Sequence, residues 1–372
     1  MDFASHKPVK MITGWDCVRE NYTVFGELGR HAIILSGKNA ADKCGAMEDV
    51  AYALEKAGCT FVRYNVIPEN PPAPLCYEGG MLAREEKCDF VVAIGGGSAI
   101  DAAKAIAAYA TNPQCGVDDI FDDNLRTAES LPLVAIPTTA GTGTEACRYS
   151  VLTIDGGIRK RTFKTPTSYA KYSLICPKYT LTLSANYTVS TALDAFAHAI
   201  ESYLSPKSVE VSEEAALYAA REIWDVLFNG NGASALGFTE KARERLMYAA
   251  TAAGIAIDYT GTGFPHPLGY SITLEYGIPH GSACAIFEGA YISYNMKTEI
   301  GREKIEKFAS YLGTTPREMM ERIPEMSGVC LKLTAEKREE LIDRVASAAN
   351  YKNSPYVISR AEMSDIYTAL FA

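Results

Sequence analysis

The chain has 372 residues, of which 48% are hydrophobic and 22% are charged, and its formal net charge is −9. These proportions are typical of a globular protein, and the length predicts two domains. The acidic balance, with no run of Lys and Arg, argues against a nucleic-acid partner. Because we find no signal peptide and no apolar run long enough to span a bilayer, we expect a cytoplasmic protein without a membrane partner.

The ten cysteines are scattered along the chain, and no two of them form a C-x-x-C pair. Zinc-finger spacings to histidine are also absent from the sequence. Scattered cysteines in a chain of this length are typical of reduced core residues rather than of a disulfide framework. This interpretation agrees with a cytoplasmic location.

The first half of the chain alternates short apolar runs with helical stretches. Strands are predicted at residues 31–37, 60–65, 89–94, 131–136 and 172–176, helices at 46–57, 77–87 and 102–108, and a hairpin at 148–165. Strands that alternate with helices predict a parallel sheet with both faces covered. We therefore predict a Rossmann-like α/β nucleotide-binding domain at residues 1–177, ending at Pro177.

The third predicted strand leads directly into Gly95-Gly96-Gly97-Ser98 and then into a helix. Glycines let the backbone approach a ligand closely, and we expect Ser98 to be the N-cap of the helix. The N–H groups and the positive dipole end of that helix favour a pyrophosphate. The stretch matches neither G-x-G-x-x-G nor a P-loop, so a plain tight turn is the alternative.

The fourth predicted strand is followed by a loop, residues 137–146, that contains four threonines and two glycines. Such a loop offers hydroxyl groups and allows a ligand close to the backbone. Ligands of parallel sheets bind at the carboxyl ends of the strands, so two such loops after successive strands favour one shared nucleotide site. A solvated threonine-rich loop is the alternative.

The second half of the chain has helical periodicity almost throughout. Helices are predicted at residues 189–204, 209–228, 239–258, 281–294, 304–312, 316–323, 335–348 and 360–370. The pattern predicts an all-helical second domain at residues 178–372.

Asp194 and His198 are four residues apart in an apolar stretch of the first of these helices, so they lie on one helical face. A buried carboxylate is costly unless it is paired or bound to a cation. His266 and His280 follow later in the sequence. The chain has only five histidines, and His198, His266 and His280 are three of them. The four residues are therefore candidate metal ligands, with a solvated Asp–His pair on a helix surface as the alternative.

These motifs, taken in order, resemble the iron-containing (group III) alcohol dehydrogenases. The resemblance is carried by Gly95-Gly96-Gly97-Ser98-x-x-Asp101, the loop 137–145, Asp194-x-x-x-His198, His266-Pro267-Leu268-Gly269 and Pro279-His280-Gly281. It covers nearly the whole chain. It implies a dehydroquinate synthase-like architecture, in which an α/β nucleotide domain precedes an all-helical metal-binding domain.

The resemblance implies one divalent ion, usually Fe(II) with Zn(II) as the other possibility, bound by Asp194, His198, His266 and His280. It implies oxidation of a short primary alcohol, or reduction of an aldehyde, by hydride transfer between a metal-held alkoxide and nicotinamide C4. It also implies a homodimer or a larger homo-oligomer. The residues expected at NAD(P) are Ser36, Gly37, Lys38, Asn70, Gly96, Gly97, Ser98, Asp101, Thr138, Thr139, Thr142 and Leu183.

The sequence departs from the family pattern at two places. Tyr270 stands where many members have a second histidine beside the nicotinamide. A phenol titrates near pH 10, so we expect Tyr270 to be a catalytic-site residue without the proton relay of a histidine. The first strand ends in Ser36-Gly37-Lys38 with no acid to hold a ribose 2′-hydroxyl, which favours NADP(H) over NAD(H).

Three other interpretations stay open. A Zn-dependent polyol (glycerol-type) dehydrogenase would keep the fold, as would a lyase similar to dehydroquinate synthase. The lyase would need basic residues for a substrate phosphate, and residues 260–285 contain no Lys or Arg cluster. A nucleotide-binding protein that has lost its chemistry is the third. Candidates for the substrate pocket are Tyr149, Leu183, Phe264 and Tyr270.

Overall fold

The computed structural model describes residues 8–230, 233–234 and 237–372. The chain divides into two compact units, Met1–Leu183 and Ser184–Ala372. Among the described residues, no helix is both long enough and apolar enough to cross a bilayer.

The first unit is built on a six-stranded sheet in which every pair of neighbours is parallel. Its strands are β1 (Lys10–Thr13), β2 (His31–Ser36), β3 (Thr60–Tyr64), β4 (Phe90–Gly95) and β5 (Leu133–Pro137), with Tyr172–Ile175 as the last. Two further strands, β6 (Ser150–Ile154) and β7 (Arg159–Phe163), form the predicted antiparallel hairpin outside this sheet. The last strand of the sheet, Tyr172–Ile175, is therefore β8. The sheet order is β1-β8-β5-β4-β2-β3. The predicted parallel α/β sheet is confirmed.

The central strands β4 and β5 are apolar on both faces because helices cover both. Every residue of β4 and β5 is buried. The covering helices are α1 (Cys17–Glu20), α2 (Thr23–Gly26), α3 (Ala40–Lys43), α4 (Ala46–Lys56), α5 (Ala73–Glu85) and α6 (Gly97–Thr111). Short 3-10 turns lie at Asp119–Phe121, Thr144–Ala146, Asp155–Gly157 and Pro177–Thr180. The edge strand β1 was not predicted, because only two apolar residues, Met11 and Ile12, lie between Lys10 and Thr13.

The second unit is helical, as predicted, apart from the two-residue strands β9 (Ala233–Ser234) and β10 (Gly237–Phe238). Its first helices are α7 (Ala185–Leu204), α8 (Glu210–Leu227), α9 (Glu240–Thr260), α10 (Pro265–Tyr276), α11 (His280–Ala285) and α12 (Glu288–Asn295). They are followed by α13 (Glu299–Leu312), α14 (Pro316–Ser327), α15 (Ala335–Val345), the 3-10 turn Ala349–Lys352 and α16 (Arg360–Phe371). Helix α7 is central, since it packs against α8, α9 and α11.

Two helices of this unit differ from the sequence-based expectation. The single helix predicted at 281–294 is two helices, α11 and α12, separated at Ile286 and Phe287. Helix α10 was not predicted because its first turn contains Pro265 and Pro267. Prolines are tolerated there because the first N–H groups of a helix have no partner within the helix.

Candidate functional site

The four candidate metal ligands come together in the second unit. Asp194 and His198 project from α7, His266 lies in the first turn of α10, and His280 begins α11. The Asp194 Oδ1 atom lies 3.9 Å from His198 Nε2, 3.6 Å from His266 Nε2 and 3.8 Å from His280 Nε2. One carboxylate oxygen thus faces three imidazole nitrogens.

This cluster has the features of a cation site. Asp194 Oδ1 and His266 Nε2 are buried and form no hydrogen bond with any described residue. Their separation of 3.6 Å is too long for a direct bond. One carboxylate and several imidazoles form a donor set suited to Fe(II) or Zn(II). The residues present therefore fit a divalent metal.

Electrostatics in the cluster favour a charged Asp194. Burial alone would raise the pKa of this carboxyl, but His198, His266 and His280 outweigh burial and hold the pKa well below its usual range. Burial would likewise lower the pKa of His266, but Glu201 and Asp194 raise it to about 9. A second carboxylate therefore takes part in the site.

That second carboxylate is Glu201, which is fully buried on α7. His266 Nδ1 lies 2.6 Å from Glu201 Oε1. A carboxylate can only accept, so Nδ1 carries a hydrogen, and Nε2, which faces Asp194, is the nitrogen left to bind a metal. The backbone N–H of Gly263, just before α10, donates to Glu201 Oε2. Glu201 thus fixes both the tautomer of His266 and the start of its helix.

The close approach of α11 to α7 brings His280 to Asp194. A Cβ atom at Gly281 would lie 1.8 Å from the carbonyl oxygen of Ser190 and 2.8 Å from the backbone nitrogen of Asp194. The Ser190 hydroxyl also accepts a hydrogen bond from the backbone N–H of Ser282, at 3.0 Å. Only glycine at position 281 allows this contact.

Tyr270 lies beside the cluster, as the sequence predicted. Its ring stacks on that of His280, with centroids 5.3 Å apart and an angle of 27° between the planes. His280 is the most exposed of the four candidate ligands, with 26% of its side chain accessible. The side of the cluster formed by His280 and Tyr270 is therefore its more open side.

Sequence reasoning missed three residues of this site. Glu201 was signalled by its position, since it lies three residues after His198 on the same buried face of α7. Cys284, one turn after His280, places a buried sulfur 3.6 Å from His280 Nδ1. Its sulfur and single ligand atoms of Asp194, His266 and His280 all lie within 4.8 Å of one another. Glu288 begins α12 and is described below; nothing in its local sequence pattern marked it.

The two predicted nucleotide loops of the first unit pack against each other. A Cβ atom at Gly96 would lie 2.9 Å from Thr139 Oγ1, and one at Gly97 would lie 2.6 Å from Thr142 Cγ2. The backbone N–H of Thr138 donates to the Gly95 carbonyl, at 3.0 Å. The glycines therefore bring the start of α6 and the threonine loop into one surface at the carboxyl ends of β4 and β5.

The prediction that Ser98 caps α6 is wrong. The helix begins at Gly97 with Gly96 as its N-cap, so Ser98 lies inside the first turn. Its hydroxyl instead accepts a hydrogen bond from the backbone N–H of Asn70, at 3.1 Å. Asn70 has a positive φ of 52°, which asparagine tolerates better than most residues. This bond brings the Asn70 loop beside the glycine turn.

The Asp101 carboxylate is occupied within the protein. It accepts hydrogen bonds from the Thr144 hydroxyl, at 2.5 Å, and from the Val151 backbone N–H, at 2.9 Å. The buried Lys104 ammonium also donates to the Thr144 hydroxyl, at 2.6 Å. Burial raises the pKa of Asp101, and the Lys104 charge opposes that shift. Asp101 therefore stabilises the conformation of the threonine loop through its bond to Thr144.

The other predicted cofactor and pocket residues differ in their accessibility. Ser36 is fully buried at the end of β2, Gly37 is half-buried and Lys38 is exposed. Leu183 and Tyr149 are half-buried. Phe264 has no exposed surface and packs edge-on against Tyr291, with centroids 5.0 Å apart. A side chain without exposed surface does not line an open pocket, so Phe264 is a core residue.

Comparison with known proteins gives a consistent assignment. The family described as "Iron-containing alcohol dehydrogenase" matches residues 8–177, and "Fe-containing alcohol dehydrogenase family, C-terminal" matches residues 188–371. A choline dehydrogenase of Bacillus subtilis is 32% identical over 283 residues, which are 74% of this chain and 68% of that protein. An NADPH-dependent butanol dehydrogenase of Clostridium saccharobutylicum is 29% identical over 79% of this chain and 76% of its own.

Solved structures agree with the sequence comparison. An iron-containing alcohol dehydrogenase of Thermotoga maritima superposes with a TM-score of 0.89 at 30% identity, and the match covers 98% of each chain. The likeness extends over both units. By sequence and by fold, this chain belongs to the iron-containing alcohol dehydrogenase family of oxidoreductases.

Proposed function

We propose that this protein is an Fe(II)-dependent, NADP(H)-preferring dehydrogenase of short primary alcohols that also reduces the matching aldehydes. The observation that carries the proposal is the buried Asp194 oxygen, which faces three imidazole nitrogens at 3.6–3.9 Å and accepts no hydrogen bond from the described residues. Such an atom needs a cation to offset its burial.

Asp194 Oδ1 and the Nε2 atoms of His198, His266 and His280 would hold the ion. A divalent metal bound there is a Lewis acid, which lowers the pKa of an alcohol and polarises an aldehyde carbonyl. Zn(II) accepts the same donor atoms, but the family descriptions that match this chain name iron. We therefore assign Fe(II).

The chain's own residues orient and shield the site. Glu201 holds the His266 ring in the tautomer that offers Nε2, through the 2.6 Å bond to Nδ1. The apolar surroundings of α7 keep water away from Asp194, which is only 3% exposed. Substrate would enter from the more open side, where Tyr270 stacks on His280. Tyr270 can donate or accept a hydrogen bond there.

The nicotinamide cofactor would bind the surface formed by the glycine turn and the threonine loop. The start of α6 supplies free N–H groups and a positive dipole end for its pyrophosphate. NADP(H) is favoured because the exposed Lys38 follows the end of β2 and no acid precedes Asp42 in that loop to repel a 2′-phosphate. Relatives are named with either cofactor, since the butanol dehydrogenase is NADPH-dependent and a methanol dehydrogenase of Bacillus methanolicus is NAD-dependent. The choice of NADP(H) therefore rests on Lys38.

Primary alcohols are favoured because choline and butanol, named for two relatives, both carry a primary hydroxyl group. A homodimer or larger homo-oligomer stays a prediction, which light scattering of the purified protein tests.

The test is anaerobic NADPH oxidation with a series of short aldehydes. Protein stripped with a chelator is compared with the same protein reloaded with Fe(II) or Zn(II). We expect turnover that depends on the metal and is highest with Fe(II). The variant His280→Ala should lose metal binding and turnover together, because it removes one of four ligands.

His31→Ala is the matched control. His31 lies in the first unit, where Nδ1 bonds the Thr60 hydroxyl at 2.7 Å, and it is not part of the cluster. Its replacement should leave turnover unchanged. Turnover at the wild-type rate in His280→Ala would refute the metal-based function.

A further inference from the structure

We propose that Glu288 is a neutral carboxylic acid whose O–H donates a hydrogen bond to Glu201 and thereby positions His266. The role of His266 as a ligand rests on the proposed function, but the protonation state of Glu288 does not. Glu288 is a positioning residue, since it acts on the site through Glu201.

The first observation is the isolation of the Glu288 carboxyl group. Glu288 is 0% exposed, and both of its oxygens are buried. Neither oxygen accepts a hydrogen bond from any described N–H or O–H group. Glu288 begins α12, but the first N–H groups of that helix do not reach its carboxyl either. An ionised carboxylate buried without a donor is strongly destabilised.

The second observation is the neighbour of this carboxyl group. Glu201, which is also 0% exposed, lies within hydrogen-bonding reach of Glu288. Both Glu201 oxygens already accept bonds, from His266 Nδ1–H and from the Gly263 N–H. Glu201 is thus the acceptor of the pair, which leaves Glu288 as the donor, and two adjacent carboxylates cannot both be charged in a buried site.

A single proton on Glu288 removes the repulsion between the two adjacent carboxyl groups. Burial and the adjacent Glu201 charge both raise the pKa of Glu288 well above its ordinary value. The Glu288 O–H then becomes a third donor to Glu201, beside the two N–H groups. The nearby Tyr291 is also neutral, because burial and Glu201 raise its pKa.

This arrangement has a consequence for His266. Three donors around Glu201 fix the position of its oxygens, and the Oε1 atom in turn fixes the His266 ring. The ring is then held in one rotamer, in which Nε2 faces Asp194. Outer partners of a metal ligand act in this way on affinity.

The direct test is infrared difference spectroscopy of metal-free protein at constant pH 8. A protonated carboxylic acid has a carbonyl band that is separate from the carboxylate bands and shifts in D2O. We expect wild type minus Glu288→Gln to show the loss of one such acid band. Glu325→Gln, which alters an exposed glutamate of α14, is the control and should show only the loss of carboxylate bands. Loss of carboxylate bands alone in Glu288→Gln would overturn the proposal.

The positioning role is tested by Co(II) affinity, measured by calorimetry. Glu288→Leu keeps the volume but removes the donor, so we expect an affinity about three- to tenfold weaker, below the roughly 10–100-fold typical of a direct outer partner. Glu288→Gln should restore affinity to about wild type, because its amide N–H can donate to Glu201. Equal affinity in Glu288→Leu and wild type would refute the positioning role.

Failure of this proposal and failure of the proposed function are distinguishable. The infrared band is read on protein without metal, cofactor or substrate. If the protein shows the acid band but turns over no aldehyde, the neutral Glu288 is confirmed and only the dehydrogenase function is refuted. If Glu288→Leu does not fold, Glu288→Gln alone still decides the protonation state.

Discussion

Replacement of Gly281 by alanine should weaken metal binding by more than its effect on the stability of the fold explains. A Cβ at this position would lie 1.8 Å from the Ser190 carbonyl oxygen. Carbon–oxygen contacts in proteins begin at about 3.3 Å, so α11 must retreat from α7 by roughly 1.5 Å. His280 is the residue before Gly281, and it must move with the helix.

That displacement is large compared with what a metal bond allows. Bonds from a divalent metal to imidazole are about 2.0–2.1 Å long and tolerate a deviation of about 0.2 Å. The variant Gly281→Ala should therefore lose His280 as a ligand. We expect Co(II) affinity, measured by calorimetry, to fall at least about 100-fold, which corresponds to about 2.7 kcal/mol. The added methyl should also cost about 1–3 kcal/mol of stability.

Gly301→Ala is the matched control. A Cβ there would lie 2.1 Å from the Asn295 carbonyl oxygen, a similar clash between the first turn of α13 and the end of α12. Both variants should lower the melting temperature, but only Gly281→Ala should lose metal. Equal Co(II) affinity in the two variants would show that the close packing of α11 on α7 does not position the ligand.

Three further predictions concern other parts of the chain. Glu201→Gln should weaken Co(II) binding about 10–100-fold in calorimetry, because the imidazole that it holds loses its charged partner; unchanged affinity would contradict the role of Glu201. Lys38→Glu should lower kcat/KM for NADPH about tenfold and leave kcat/KM for NADH nearly unchanged, and an equal loss with both cofactors would refute a contact with the 2′-phosphate. The pKa of Asp49, which burial alone would raise, is held below its usual range by the cations that it contacts, Lys178 among them. This carboxylate therefore stabilises the fold at neutral pH and loses that effect as the pH falls through its lowered pKa. Asp49→Asn should cost about 1–3 kcal/mol in urea unfolding at pH 7, and the difference should shrink towards pH 3.

The sequence predicted the parts of the fold that depend on local pattern. Apolar runs marked β2 and β4 because a strand buried on both faces is apolar along its whole length. Helical spacing paired Asp194 with His198, because residues four apart share a face. The chain order of glycine and threonine loops placed both at one edge of the sheet.

The sequence could not predict features that depend on contacts between distant segments. Ser98 was expected as a cap, but the Asn70 backbone, 28 residues away, takes its hydroxyl. Glu201 acts on an imidazole 65 residues later, and the protonation of Glu288 depends on that same carboxylate. Such roles appear only when helices pack, since the local pattern around each residue is that of an ordinary buried helix.

The strand order of the first unit has a consequence for its folding during synthesis. Strand β1 pairs with β8, and Lys10 lies opposite Tyr172 in the register. Strand β1 therefore lacks its described partner until more than 150 further residues have left the ribosome. Contacts of such long sequence separation form late, and an unpaired strand edge invites aggregation in the meantime. A nascent chain halted before β8 should bind chaperones, whereas one released beyond it can close its sheet.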